Sequence, residues 1–427
     1  MKIVEISFLQ SKLYSKILPN GLTVSVLPRP EFHQTYGIFA TDFGSIDCEF
    51  IPNGQKEWIR IPNGTAHFLE HKMFEKKTGD VFQQFAKQGA SANAYTSFTR
   101  TAYLFSCTDA VWENTETLID FVQEPYFTSE TVQKEQGIIG EEIQMYRDDI
   151  NWQLYFGTIG SMYPTHPVQI DIAGTKDSIA EITTDILYAC HQTFYHPSNM
   201  VLFLVGNVYP EEIIDRIENN QSKKLFHPTM PIVRKIYYED GKVTSNKLEM
   251  AVQMPKMNIG LRADIAYEKN GGQRIKDEWI KSLLLYYLFG PQSQNYLELM
   301  EQELFTNQFS FDYTEERSFG FGIIGGQTKH PEALKNKIFQ ILQESQKGNF
   351  DVEDFERLMK KQHGQFLMSF RNLDWIANQS IRYMLQGTSL FEIPEMIQTI
   401  CIEDFVTAAQ NWFCPENLSS FTIFPRK

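Results

Sequence analysis

Beyond about residue 233, the order of strand and helix patterns that fills the first half of the chain begins again, and this recurrence constrains the fold most strongly. In the first half, residues 16–27 read as strand, turn, strand around Asn20-Gly21, a pair that tolerates positive φ and marks a hairpin. Residues 33–41 continue as a strand, helical periodicity starts near Ile61, and 90–107 reads as a strand pair. Helical stretches follow at 110–123 and 129–146. A polar, Gly-rich run at 168–185 then leads through another helical stretch to the apolar strand 200–206. In the second half, a strand at 248–262 precedes a long helix at 277–289. Strands at 309–313 and 319–325, helices at 331–347 and 352–370, and a final strand at 419–424 complete it. The polar run at 219–224 and the prolines Pro228 and Pro231 interrupt the pattern between them. The expectation is an α+β protein of two homologous α/β-sandwich halves, residues 1–225 and 226–427, each a mostly antiparallel sheet covered by helices.

Composition removes several function classes. With 53 acidic against 39 basic residues the net charge is -14. Neither nucleic acid nor anionic lipid is the expected partner, because both are held by clustered Lys and Arg. The longest apolar stretches, 201–205 and 283–289, are far too short to span a bilayer, so no membrane is expected. Cys48, Cys107, Cys190, Cys401 and Cys414 are scattered singly, and the first 20 residues lack an unbroken apolar core. Both features point to reduced thiols and a cytoplasmic location.

The segment Thr65-Ala66-His67-Phe68-Leu69-Glu70-His71 carries the chemistry. On a helix, His67 and His71 lie four apart and project from one face, so two imidazoles can bind one metal ion. Glu70 lies beside that pair, where a carboxylate can take a proton from water at the metal. Asn63 or Thr65 is placed to cap the helix start. The order H-x-x-E-H is the inverse of the H-E-x-x-H zinc-protease signature. With nine His in the chain, its chance occurrence is on the order of one in a hundred.

A third protein ligand is needed, with the fourth position open. It is sought in the stretch from Glu135 to Met145, where Glu135, Ile138, Ile139 and Glu142 share one helical face. Spacing alone leaves Glu135, Glu141 and Glu142 open.

The H-F-L-E-H segment, followed by E-x6-E, resembles the pitrilysin/insulinase family of zinc metallopeptidases. The stretches from Gly89 to Thr96 and Thr101 to Tyr103, with Tyr163 to Pro167, Gly174-Thr175 and Tyr195 to Met200, extend the likeness over essentially the whole chain. The length is that of two-domain members such as mitochondrial processing peptidase. The resemblance implies one Zn2+ per chain, held by His67, His71 and Glu142. It makes Glu70 the general base and Glu135 a supporting carboxylate. Asn93 and Ala94 would lie on a sheet edge where a peptide substrate adds as an extra strand. His166, His191 and His196 are read as structural.

One departure concerns the second half, where many family members carry an Arg and, seven residues on, a Tyr that reach the scissile peptide. Here Met300 and Asn307 align in those places, and neither can do the same work. The resemblance therefore implies a zinc-dependent endopeptidase acting on peptides or unfolded segments in an enclosed chamber. It would be the zinc-bearing subunit of a heterodimer whose homologous partner supplies the opposing Arg and Tyr. A homodimer is also possible, though it would not restore them. The alternative is a non-catalytic scaffold or peptide-binding subunit of the same fold.

Overall fold

The computed structural model describes residues 1–239, 241–265, 271–306 and 308–426. The chain forms two compact units. Unit 1 comprises Met1–Ile143, Ile172–Lys235 and Met368–Phe391; unit 2 comprises Gln144–Asp171, Ile236–Leu367 and Glu392–Lys427. The expected cut at 225 would give two consecutive blocks, whereas these units are assembled from discontinuous segments.

Unit 1 is built on a seven-stranded sheet: β1 (Lys2–Ile6), β2 (Ser11–Ile17), β3 (Thr23–Pro28), β4 (Thr35–Thr41), β5 (Ser91–Thr96), β6 (Thr101–Cys107) and β7 (Met200–Gly206). Their order across the sheet is β1-β2-β3-β7-β4-β6-β5, and only the β3–β7 pairing is parallel. The Asn20-Gly21 turn joins β2 to β3 as its chemistry demands, with Gly21 at φ 91°. Strands β4 and β7 are buried along their whole length, so both faces of the sheet centre are covered.

Unit 2 carries β8 (Ser245–Met250), β9 (Lys256–Arg262), β10 (Phe309–Glu315), β11 (Gly320–Gln327) and β12 (Leu418–Pro425), ordered β8-β12-β9-β11-β10. Only β8–β12 is parallel. The permutation and strand directions repeat those of β3-β7-β4-β6-β5, so the recurrence read from the sequence is a recurrence of sheet topology. The single strand expected at 248–262 is two strands separated around Pro255, which has no N–H to continue a ladder.

The helices that follow include α1 (Thr65–Met73), α2 (Val81–Lys87) and α3 (Val111–Gln123) of unit 1, and α4 (Ser129–Asp148), whose residues from Gln144 on belong to unit 2. Next comes α5 (Ile150–Met162), which the sequence reading missed because it is apolar all round and lacks a clear period. Its N-cap is explicit: the Asp149 carboxylate accepts from the Trp152 N–H at 2.7 Å. It packs on β9 and β12, while Met257, Ile259 and Leu261 of β9 face the opposite core with α6 (Gly271–Phe289) and α7 (Pro331–Ser345). A late helix, α8 (Leu373–Leu385), packs on β4 and β7 of unit 1. No helix among the described residues is long and apolar enough to cross a membrane.

Of the histidines read as structural, His166 and His191 are buried, His196 is partly exposed, and all three are hydrogen bonded. His191 Nε2 pairs with the Val122 carbonyl at 3.0 Å. His166 pairs with Ser318 Oγ at 3.1 Å and accepts from the Val168 N–H at 3.0 Å. His196 bonds the His227 carbonyl at 2.9 Å. Burial pushes both His191 and His166 down to about 4. The unfolded chain therefore binds protons that the folded chain does not between about pH 6.5 and 4. Stability should fall as pH drops through that window, by up to about 3 kcal/mol for each group. Urea unfolding midpoints across the window measure this, and His191→Gln should flatten the slope.

Candidate metal centre

The start of α1 is fixed by an interlock of two turns. Gly64 precedes the helix at φ 88°, and a Cβ there would lie 2.4 Å from the Ala173 carbonyl oxygen. Gly174, at φ 77°, would likewise bring a Cβ within 2.5 Å of the Asn63 oxygen. Ser178 Oγ donates to that oxygen at 2.8 Å while exchanging capping-box bonds with Thr175. The expected caps do not form. Thr65 is already helical and its hydroxyl donates back to the Pro62 carbonyl at 2.6 Å, while Asn63 Oδ1 faces Cys48 Sγ at 3.8 Å. The helix begins on Gly64 with no side-chain cap.

From this start, α1 presents His67 and His71 to α4, their ring centroids 4.6 Å apart. Glu142 meets both: Oε1 is 3.8 Å from His67 Nε2, and Oε2 is 3.6 Å from His71 Nε2. One ligand atom from each of the three lies within 4.8 Å of the others. A tetrahedral zinc with bonds of about 2.0–2.1 Å holds its donors roughly 3.3 Å apart, so small side-chain adjustments suffice. Three donors with a fourth position left open is the composition of a catalytic zinc site. The neighbouring acids separate cleanly. Glu141 is exposed, and Glu135 Oε1 lies 3.1 Å from His71 Nδ1. That contact engages one ring nitrogen and leaves Nε2 for a metal. Ile139 is buried beneath the helix, but Ile138, expected on the same face, is exposed.

Burial and charge act differently on each group. Burial, reinforced by the neighbouring His71, takes His67 down to about 3, and its Nδ1 is buried with no hydrogen-bond partner among the described residues. Burial also disfavours charge on His71, but the Glu135 hydrogen bond and the carboxylates Glu70, Glu142 and Glu135 outweigh it and raise its pKa. Glu135 is lowered: burial opposes this, but the bond to His71 and the charges of His71, Lys72 and Lys134 prevail. Glu70 is raised to about 7, chiefly by burial, although its bond from Thr96 and the charge of His71 pull the other way.

Two side chains at this site carried no assigned role in the sequence reading. The Thr96 hydroxyl donates to Glu70 Oε2 at 2.6 Å. Lys72 is fully buried beside His71, and its ammonium reaches Glu75, the Thr131 carbonyl at 3.3 Å and Glu135 Oε2 at 4.0 Å. Only the sequence neighbourhood of His71 and Asn93 could have flagged them. Asn93 and Ala94 lie on β5, the outermost strand of the sheet, paired in register with Leu104 and Tyr103. Asn93 Oδ1 accepts from the Ala94 N–H at 2.9 Å. In unit 2, Met300 is exposed on the helix Gln294–Glu301, and Asn307 lies outside the described residues.

Glu135→Gln should weaken zinc affinity about 10–100-fold without unfolding the chain, as expected for loss of a carboxylate that orients a ligating imidazole. Competition with a chelator of known affinity measures it.

Two family models match the chain. Residues 60–173, which include His67, Glu70, His71, Glu135 and Glu142, match a family model described as Insulinase (Peptidase family M16). Residues 181–362 match one described as Peptidase M16 inactive domain. The chain is 47% identical over 428 residues to the uncharacterized zinc protease YmfH of Bacillus subtilis, covering 100% of both chains. It is 22% identical over 430 residues to the zinc protease PqqE of Helicobacter pylori, covering 96% of this chain and 92% of the other. A crystal structure from Alicyclobacillus acidocaldarius, described as M16-like peptidase, superposes with a TM-score of 0.94 at 37% identity. It covers 99% of this chain and 100% of that one. The chain belongs to the insulinase family of peptidases, family M16.

Proposed function

We propose that the chain is a zinc endopeptidase acting on peptides or unfolded segments, as the zinc-bearing subunit of a cytoplasmic heterodimer with a homologous subunit. The observation that carries the reading is Glu70, a buried carboxylate beside three converging donors but not itself one of them. His67, His71 and Glu142 would hold one zinc ion. When bound, zinc supplies Lewis-acid polarisation of a carbonyl and lowers the pKa of a water at the site.

The remaining work falls to the chain. Glu70 takes a proton from the attacking water and gives it to the departing amine, a two-way role open to a buried carboxyl beside the converging donors. Glu135 keeps His71 oriented through Nδ1. The open side of β5 receives the substrate backbone as an added strand, with little demand on its sequence. For the opposing donors, Met300 offers none, which is the reason for invoking a partner subunit. The five unpaired cysteines, three of them buried, fit a reducing compartment.

A non-catalytic scaffold is the competing reading, and the description "inactive domain" favours it. That description covers residues 181–362, which contain none of His67, Glu70, His71 and Glu142.

Glu70→Gln should keep one zinc per chain and lose about 10²–10⁴-fold in turnover of short quenched peptides. Full turnover in that variant would remove Glu70 as the base. The zinc-loaded chain alone should be slower, by about 10²–10³-fold, than the same chain mixed with a homologous subunit bearing the Arg and Tyr. A monomer as fast as the mixture would end the partner reading.

A further inference from the structure

Glu70 and the open edge of β5 are joined at one residue. The hairpin from β5 to β6 closes with the Ser97 N–H donating to the Arg100 carbonyl at 2.8 Å. Hydrogen-bonded and non-bonded pairs alternate along an antiparallel ladder. Counting back from Ser97–Arg100, the bonded pairs are Tyr95–Ala102 and Asn93–Leu104. Thr96, Ala94 and Ala92 then turn their backbone groups to the open edge. The Ala94 N–H agrees with this count, being held by Asn93 Oδ1 rather than by β6.

Thr96 therefore faces two ways. Its backbone lies on the edge, and its hydroxyl lies 2.6 Å from Glu70 Oε2. The Thr101 hydroxyl, 3.4 Å away, donates to the Phe43 carbonyl at 2.9 Å, which leaves the single Thr96 proton for the carboxylate. Among the described residues, Thr96 is the one hydrogen-bond donor to the Glu70 side chain.

We infer that Thr96 is a positioning residue that ties the Glu70 carboxylate to the end of the strand receiving the peptide, so that the register of the added strand sets where the base meets the scissile bond. The inference rests on Glu70 as base and adds what holds it in place. A carboxylate with one fixed oxygen keeps the other at a defined distance from the peptide. Small displacements of a catalytic group cost large factors in rate.

Thr96→Val removes the donor at nearly constant shape, and Thr96→Ser restores it. In the zinc-loaded full chain, with its partner subunit where one is required, Thr96→Val should lower kcat about 10–100-fold. KM should stay within about threefold, and Thr96→Ser should recover most of the loss. A loss carried by KM, or an equal loss in both variants, would overturn the inference. A second readout needs no turnover: urea unfolding of the zinc-loaded chain carrying Thr96→Val, Glu70→Met or both. The pair should couple by about five- to tenfold in the unfolding equilibrium constant. Coupling in a chain without peptidase activity would keep the anchor and remove the peptidase reading. Activity without coupling would keep the peptidase reading and overturn the anchor.

Discussion

Between α1 and α4 the protein packs three carboxylates, Glu70, Glu135 and Glu142, around two imidazoles, with the buried Lys72 ammonium 4.0 Å from Glu135 Oε2. Taking charges out of water costs several kcal/mol each unless they are paired. The local structure is a set of compensations for that cost. Thr96 donates to one carboxylate, His71 and Lys72 pair with another, and Glu142 approaches both histidines. A divalent cation held by His67, His71 and Glu142 would add positive charge among these carboxylates.

The surrounding sheet supplies rigidity to that arrangement. The interlock of Gly64 with Ala173–Gly174 sets the start of α1, and the outermost strand sets Glu70 through Thr96. Glu70, the three converging side chains and the sheet edge are thus held by regular elements, which is what the proposed chemistry would require of its scaffold. In unit 2 the five-strand permutation repeats without the H-x-x-E-H motif. Sheet topology is governed by strand pairing and crossover rules that survive extensive change in helix surfaces. The recurrence is therefore of architecture, with the H-x-x-E-H motif confined to one copy.

Much of this was legible in the sequence. The Asn20-Gly21 hairpin, the strand pair at β5 and β6, α3, α4 and the long helices of the second half fall where local chemistry places them. The helical spacing of His67, Glu70 and His71 brings the two histidines together on α1. Elements were lost where the local signal is weak: α5 is apolar on every side, and the break at Pro255 hides inside one extended run.

The sequence by itself determined the two α+β halves, the histidine pair on one face of one helix and the pool of acids from which a third donor would come. Those follow from period, turn chemistry and charge, which are properties of neighbouring residues. Tertiary structure decided which acid faces the histidines. The phase of α4, set by burying Ile139, turns Glu142 inward and leaves Glu141 and Ile138 in solvent. It also decided that the compact units are discontinuous, that α5 covers β9 and β12, and that Thr96 reaches Glu70. These are contacts between segments far apart in the chain. Their selection rests on packing and on compensating buried charge, which no local pattern records.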